Sequence, residues 1–148
     1  MAETLVVMGR IPETDCHVTF AFKHNCSKEE KSTLVFEMTS LIGPILPLSC
    51  RISPELIKVG KKGELDAYQI VLEDDSCATT LSKFWHDHQR RQAGHEMFPF
   101  NLHATLKTDE KRIQMEALLA KGGTFKITEI YVRTLKTKKV LSKMVYSK

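Results

Sequence analysis

His17-Val18-Thr19-Phe20-Ala21-Phe22-Lys23 reads as a β-strand with two unlike faces. Val18, Phe20 and Phe22 share one face by period two, while His17, Thr19, Ala21 and Lys23 share the other. The stretch Asn101-Leu102-His103-Ala104-Thr105-Leu106-Lys107 has the same pattern. Its apolar face is Leu102, Ala104 and Leu106, and its polar face is His103, Thr105 and Lys107. Each segment therefore carries a His-x-Thr step on the polar side of an amphipathic strand.

Helix signals follow both strands. Ser27 with Glu30 three residues on is a capping box, and Leu34, Val35, Met38, Leu41 and Ile42 recur at helical spacing until Gly43-Pro44. Thr108-Asp109 caps a second helix whose Ile113, Met115, Leu118 and Leu119 are expected to pack inward before Gly122-Gly123. Between these, 46–52, 56–59 and 67–72 read as strands, with Lys61-Lys62-Gly63 as a hairpin turn. Residues from Thr79 or Thr80 to Gln92 read as a helix with Leu81, Phe84, Trp85 and His88 on one side, broken at Gly94. Leu5-Val6-Val7-Met8 is a first strand, and Phe125–Val132 and Val140–Tyr146 form a closing strand pair.

The order His-strand, capped helix, glycine stop and two strands thus occurs twice, from His17 to about Val59 and from His103 to Tyr146. An α+β fold of two similar lobes is the expectation, with residues 1–148 forming one domain.

Composition narrows the class. The 148 residues are 42% hydrophobic and 27% charged, ordinary values for a globular protein. No run approaches the roughly 18 apolar residues of a membrane span. Met1-Ala2-Glu3-Thr4 has no basic start or apolar core of a signal peptide, which predicts a cytoplasmic protein. Cys16, Cys26, Cys50 and Cys77 are scattered and read as reduced thiols. The net charge of +4 suits a phosphate-bearing ligand but falls short of the basic stripe of a duplex binder.

A histidine and a threonine two residues apart on a strand lie about 6.5–7 Å apart on one face. The imidazole can move a proton, and the hydroxyl can donate to a non-bridging phosphate oxygen. Ser and Thr fill 22 of 148 positions, so a single His-x-Thr is a common coincidence. Two in matching strand-helix contexts carry more weight. Together they supply one base, one acid and two phosphate anchors, enough to pass a phosphoryl group to a neighbouring hydroxyl without a metal.

His17-Val18-Thr19-Phe20 and His103-Ala104-Thr105-Leu106 resemble the paired His-x-Thr/Ser-hydrophobic motifs of the two-histidine (2H, LigT-like) phosphoesterase superfamily. The likeness in pattern covers nearly the whole chain. It implies a bilobal fold of two antiparallel sheets with outer helices and a central groove that receives one motif from each lobe. It also implies His17, Thr19, His103 and Thr105 as catalytic residues. Family members act on RNA 2′,3′-cyclic phosphates, 2′-5′ linkages, ADP-ribose cyclic phosphates or cyclic oligonucleotide signals. The short chain is most similar to small viral members that degrade cyclic or 2′-5′ immune signals, which implies host cytosol as the location. An RNA-end 2′,3′-cyclic phosphodiesterase is the alternative activity, and a non-catalytic nucleotide- or RNA-binding module is the alternative class. The motifs leave open which histidine is base and which acid.

Other candidates lie around the motifs. Lys23 and Lys107 share the polar faces of the two strands by period two. Glu129 and Tyr131 alternate together on the closing strand, where Tyr131 can stack on a base. Arg10 precedes the first motif and can meet a phosphate. The basic run Arg133 to Lys139 reads mainly as a solvated turn, with attraction for oligonucleotide phosphates as its functional alternative, and Trp85 and Phe84 read as core. His86 and His88 point about 200° apart on a helix and cannot share an ion. Neither they nor His95, Cys16-His17 and His24-x-Cys26 have the spacing of a zinc site. No metal, cofactor or stable protein partner is expected. The expected ligand is a small oligonucleotide or cyclic dinucleotide, and the expected state a monomer.

Overall fold

The computed structural model describes residues 3–60, 62–88 and 100–146. Glu3–Arg10 is β1 and His17–Cys26 is β2, joined by a hairpin. Helix α1 spans Lys28–Glu37, continues as one wide turn over Met38–Ile42, and closes with a tight turn over Gly43–Ile45. The capping box is formed: the Glu30 amide donates to Ser27 Oγ at 3.2 Å and the Ser27 amide to Glu30 Oε1 at 3.1 Å. Strands β3 (Leu48–Val59) and β4 (Leu65–Leu72) form a hairpin, with Gly60 and Gly63 at positive φ in its turn. The expected strands 46–52 and 56–59 are one strand, interrupted only by a register shift between Ile52 and Leu56.

Helix α2 covers Asp75–His88. It begins earlier than its apolar pattern implies, because Asp74 Oδ1 accepts from the amide of Ser76 at 2.8 Å and so provides the cap. Its expected end at Gln92 and Gly94 lies outside the described residues. Strand β5 is the short His103–Thr105, and α3 is Asp109–Ala120, capped by Thr108 through the Lys111 amide at 3.2 Å. Met115 and Leu118 are buried as expected, whereas Ile113 is 65% exposed.

The last strands are β6 (Thr124–Ile127), β7 (Glu129–Thr134) and β8 (Val140–Val145). The expected strand Phe125–Val132 is thus broken at Thr128, and its two parts serve different sheets. One four-stranded antiparallel sheet has the order β2-β1-β7-β8, and the other β5-β4-β3-β6. The two lobes are therefore not the two halves of the sequence. Chain ends build one sheet and the middle builds the other, although each sheet receives one His-x-Thr strand.

The core joins both sheets and all three helices. It includes Leu5, Val7, Val18 and Phe20 of the first sheet, Ile70, Ala104 and Ile127 of the second, and Leu34, Leu81, Phe84 and Met115 of the helices. Gly9 permits the closest approach. A Cβ there would lie 2.7 Å from the Phe20 ring and 3.1 Å from the Ile127 side chain, so the two sheets interlock over a residue with no side chain.

Candidate functional site

Strands β2 and β5 are the terminal strands of their sheets, and they lie in contact with each other. This juxtaposition brings the two His-x-Thr steps close enough for His103 to act on the charge of His17, and the partly exposed strip between them is termed the groove. Val18 and Ala104, the middle residues of the steps, are wholly buried, while His17, Thr19, His103 and Thr105 are only partly so. Alternation thus anchors each strand by its apolar residue and leaves the two polar residues facing the groove.

His17 is held by its surroundings. The loop before it is closed by hydrogen bonds from the Ile11 amide to the Cys16 carbonyl at 3.0 Å and from the Cys16 amide to Thr14 Oγ1 at 3.0 Å. Asp15 is tied to α3, its amide donating to Gln114 Oε1 at 2.7 Å and its carboxylate accepting from Gln114 Nε2 at 2.9 Å. Burial lowers the His17 pKa to about 4, assisted by the positive charges of Lys111, Arg133 and Lys107 and by His103. His17 is therefore a neutral imidazole near neutral pH. His103 is oriented differently: its Nδ1 lies 2.9 Å from the Asn101 carbonyl oxygen. A carbonyl only accepts, so Nδ1 carries a proton and Nε2 is left for the groove. Among the described residues, no hydrogen bond occupies the hydroxyl of Thr19 or Thr105.

The other expected residues separate into two groups. Arg10 is the direct cross-strand partner of His17 and so shares its face. Tyr131 lies across β1 through Met8, which is also opposite Thr19. Arg10, Glu129 and Tyr131 all line an open pocket of about 350 Å³ beside the groove, and Glu129 pairs with Lys143 at 2.9 Å. Lys107 lies just past β5, exposed, with its charge felt at His17.

Lys23 does not join the site. A β-bulge in β2 shifts the pairing from Val7–Ala21 to Met8–Thr19 and leaves Phe20 as the extra residue. Phe20 and Ala21 are consecutively buried, and the alternation flips beyond them. Lys23 therefore points to the helix side, with Nζ 3.4 Å from His88 Nδ1 and 4.0 Å from Glu30. Phe22 moves the other way, opposite Val6 on the groove-side face. His88 is buried and its Nε2–H meets Glu37 at 2.6 Å, so it is a core residue. Trp85 packs against Phe100, ring centroids 6.0 Å apart. Among the described residues no three His, Cys, Asp or Glu side chains converge as a metal site; His95 lies outside them.

Two cations stand closer to His17 than the sequence pattern indicates: Lys111, which it does not single out, and Arg133, which it reads only as part of a basic turn. Lys111 sits in the first turns of α3 and exerts the largest charge effect on His17. Arg133 is not in the turn after β7 but on β7 itself, half-buried, with Nε 3.0 Å from Met8 Sδ and a buried Nη1 that lacks a hydrogen-bond partner among the described residues. Extending the Glu129-Tyr131 alternation by two residues would have placed it on the same face.

No family model and no curated protein matches the sequence. Solved structures do match in fold along the full length. A structure of E. coli LigT with NADP+ aligns at TM-score 0.56 and 11% identity over 99% of both chains. E. coli LigT with 3′-AMP aligns at 0.55 and 14% over 100% of both. A structure described as a phosphoesterase aligns at 0.54 and 13% over 99% of both. The chain therefore has the two-sheet α+β fold of the LigT phosphoesterase structures. At such identities the likeness is one of fold, and the chemistry has to be argued from this chain's own residues.

Proposed function

We propose that the chain is a metal-independent phosphodiesterase that cleaves a small RNA-type phosphodiester, a 2′-5′-linked or cyclic oligonucleotide. The observation that carries this reading is the difference between two histidines at one groove. His17 is held neutral by burial and surrounding cations, while His103 is fixed by Nδ1–H on the Asn101 carbonyl with Nε2 free. That asymmetry supports His17 as the base and His103 as the acid.

Neutral His17 accepts the proton of the ribose hydroxyl next to the phosphodiester. The hydroxyl oxygen forms a bond to phosphorus as the bond to the 5′-oxygen breaks. His103, entering the step as the imidazolium with Nδ1–H on Asn101, gives its Nε2 proton to that leaving oxygen, and the product is a cyclic phosphate plus a free 5′-hydroxyl. Thr19 and Thr105 donate to the non-bridging oxygens, where negative charge accumulates. Lys107, Lys111 and Arg133 stabilise the same charge through space. The crystallised complexes of E. coli LigT with 3′-AMP, ATP and NADP+ support a nucleotide-sized ligand in this fold. The biological role such cleavage would serve is removal of an oligonucleotide signal, as in evasion of host immunity.

The test is a panel of 2′-5′ oligoadenylates, cyclic dinucleotides and a 2′,3′-cyclic nucleotide in excess EDTA, with products separated by chromatography. The expected result is cleavage of a 2′-5′ or cyclic oligonucleotide at an unchanged rate under chelation. Turnover that stops with EDTA and returns with added metal ion would overturn the mechanism.

A further inference from the structure

The pocket beside the groove is more basic than cleavage of one phosphodiester requires. Its lining brings Arg10, Arg133, Lys138 and Lys143 together with Tyr131 and a single carboxylate, Glu129. Lys143 already neutralises that carboxylate. Among the described residues Arg10, Arg133 and Lys138 have no acidic partner, and Arg133 Nη1 is buried without any hydrogen bond. A buried guanidinium nitrogen with no acceptor carries a desolvation cost, and an anion in the pocket that Arg133 lines would offset part of it through space.

Lys138 is placed deliberately by the fold. It adopts φ +58, the left-handed region that favours glycine or asparagine. The turn that imposes this is stitched by the Thr134 amide to the Lys139 carbonyl at 3.0 Å, the Lys138 amide to the Thr134 carbonyl at 3.2 Å, and the Lys139 amide to Thr134 Oγ1 at 3.1 Å. Thr134 is itself buried. The basic run therefore ends in an ordered turn that lends a cation to the pocket.

The pocket is also at the right place. β1 stands between β2 and β7, so at about 4.8 Å per strand the β7 wall lies about 10 Å from the His17 strand. This is the reach of one nucleoside. Tyr131 stands on that wall, with an aromatic face available to a base.

We infer that this pocket binds a second phosphate of the substrate, one nucleoside removed from the phosphodiester that lies between His17 and His103. The inference rests on the proposed phosphodiesterase reading for the position of the first phosphate. It makes oligonucleotides with an additional phosphate the preferred substrate class, over 2′,3′-cyclic mononucleotides.

The test uses 2′-5′ diadenylates whose attacking 3′-hydroxyl is methylated, so that binding is read without cleavage. Three forms are compared by calorimetry: unphosphorylated, 5′-phosphorylated, and phosphorylated at the opposite 2′ end. A charge-assisted contact predicts that one phosphorylated form binds wild type about tenfold tighter or more than the unphosphorylated form. Lys138→Ala should reduce that advantage to near unity, whereas Lys126→Ala on β6 should retain it. Equal affinity of all three forms for wild type, or an advantage that survives Lys138→Ala, overturns the inference. The unmethylated diadenylates are assayed in parallel. A Lys138-dependent phosphate advantage without cleavage of these or of a cyclic dinucleotide supports the pocket and defeats the phosphodiesterase reading; cleavage without that advantage does the reverse.

Discussion

His17→Ala and His103→Ala should each lower kcat by about 10²–10⁴-fold, the usual contribution of a positioned general base or acid. Nucleotide affinity should change far less, because the anchoring charges and the threonine hydroxyls remain. The two losses arise differently. His17→Ala removes the neutral imidazole that burial and Lys111, Arg133 and Lys107 keep unprotonated. His103→Ala removes the ring that Asn101 orients. Steady-state kinetics on the preferred substrate, with thermal melts to verify folding, measures both. Unchanged turnover in both folded variants would leave a binding module as the better description.

Phe20→Ala should produce the largest loss of stability, about 3–5 kcal/mol. Phe20 is wholly buried, is the additional residue of the β2 bulge, and fills the notch left by Gly9 against Ile127. Removing the ring takes away apolar burial and opens a cavity where the two sheets meet. Against a total stability of about 5–15 kcal/mol, such a loss is a large fraction. Urea denaturation at neutral pH measures it, and a loss below about 1 kcal/mol would show that the sheets are held together elsewhere. Because the bulge also sets which residues of β2 face the groove, the variant should lose turnover beyond what its unfolded fraction explains.

The strand placement of the candidate site's residues was largely legible from short-range pattern. The two His-x-Thr steps lie on strands with Val18 and Ala104 inward, as period two requires. Ser27 and Thr108 cap the helices that follow. The departures have specific causes. Alternation assumes an unbroken ladder, so the bulge at Phe20 reversed the faces of Phe22 and Lys23. The stretch 125–132 reads as one strand because both parts have the same period; the one sign of the break is the phase change from Phe125 and Ile127 to Ile130 and Val132 across Thr128-Glu129. Sheet membership depends on long-range pairing, and the pairing of β1 with β7 joins residues from opposite ends of the chain. Lys111 escapes notice, and Arg133 reads only as part of a basic turn, for a related reason: a cation's place depends on where its strand or helix ends up.

The pH dependence of kcat/KM in EDTA tests most directly whether His17 and His103 form one acid–base site. For wild type, kcat/KM should rise with pH through about 4 as His17 becomes neutral, and fall on the alkaline side where the general acid is no longer protonated. The rising limb should vanish in His17→Ala, and the falling limb in His103→Ala. Retention of both limbs in both variants would contradict the assignment of base and acid to these two residues.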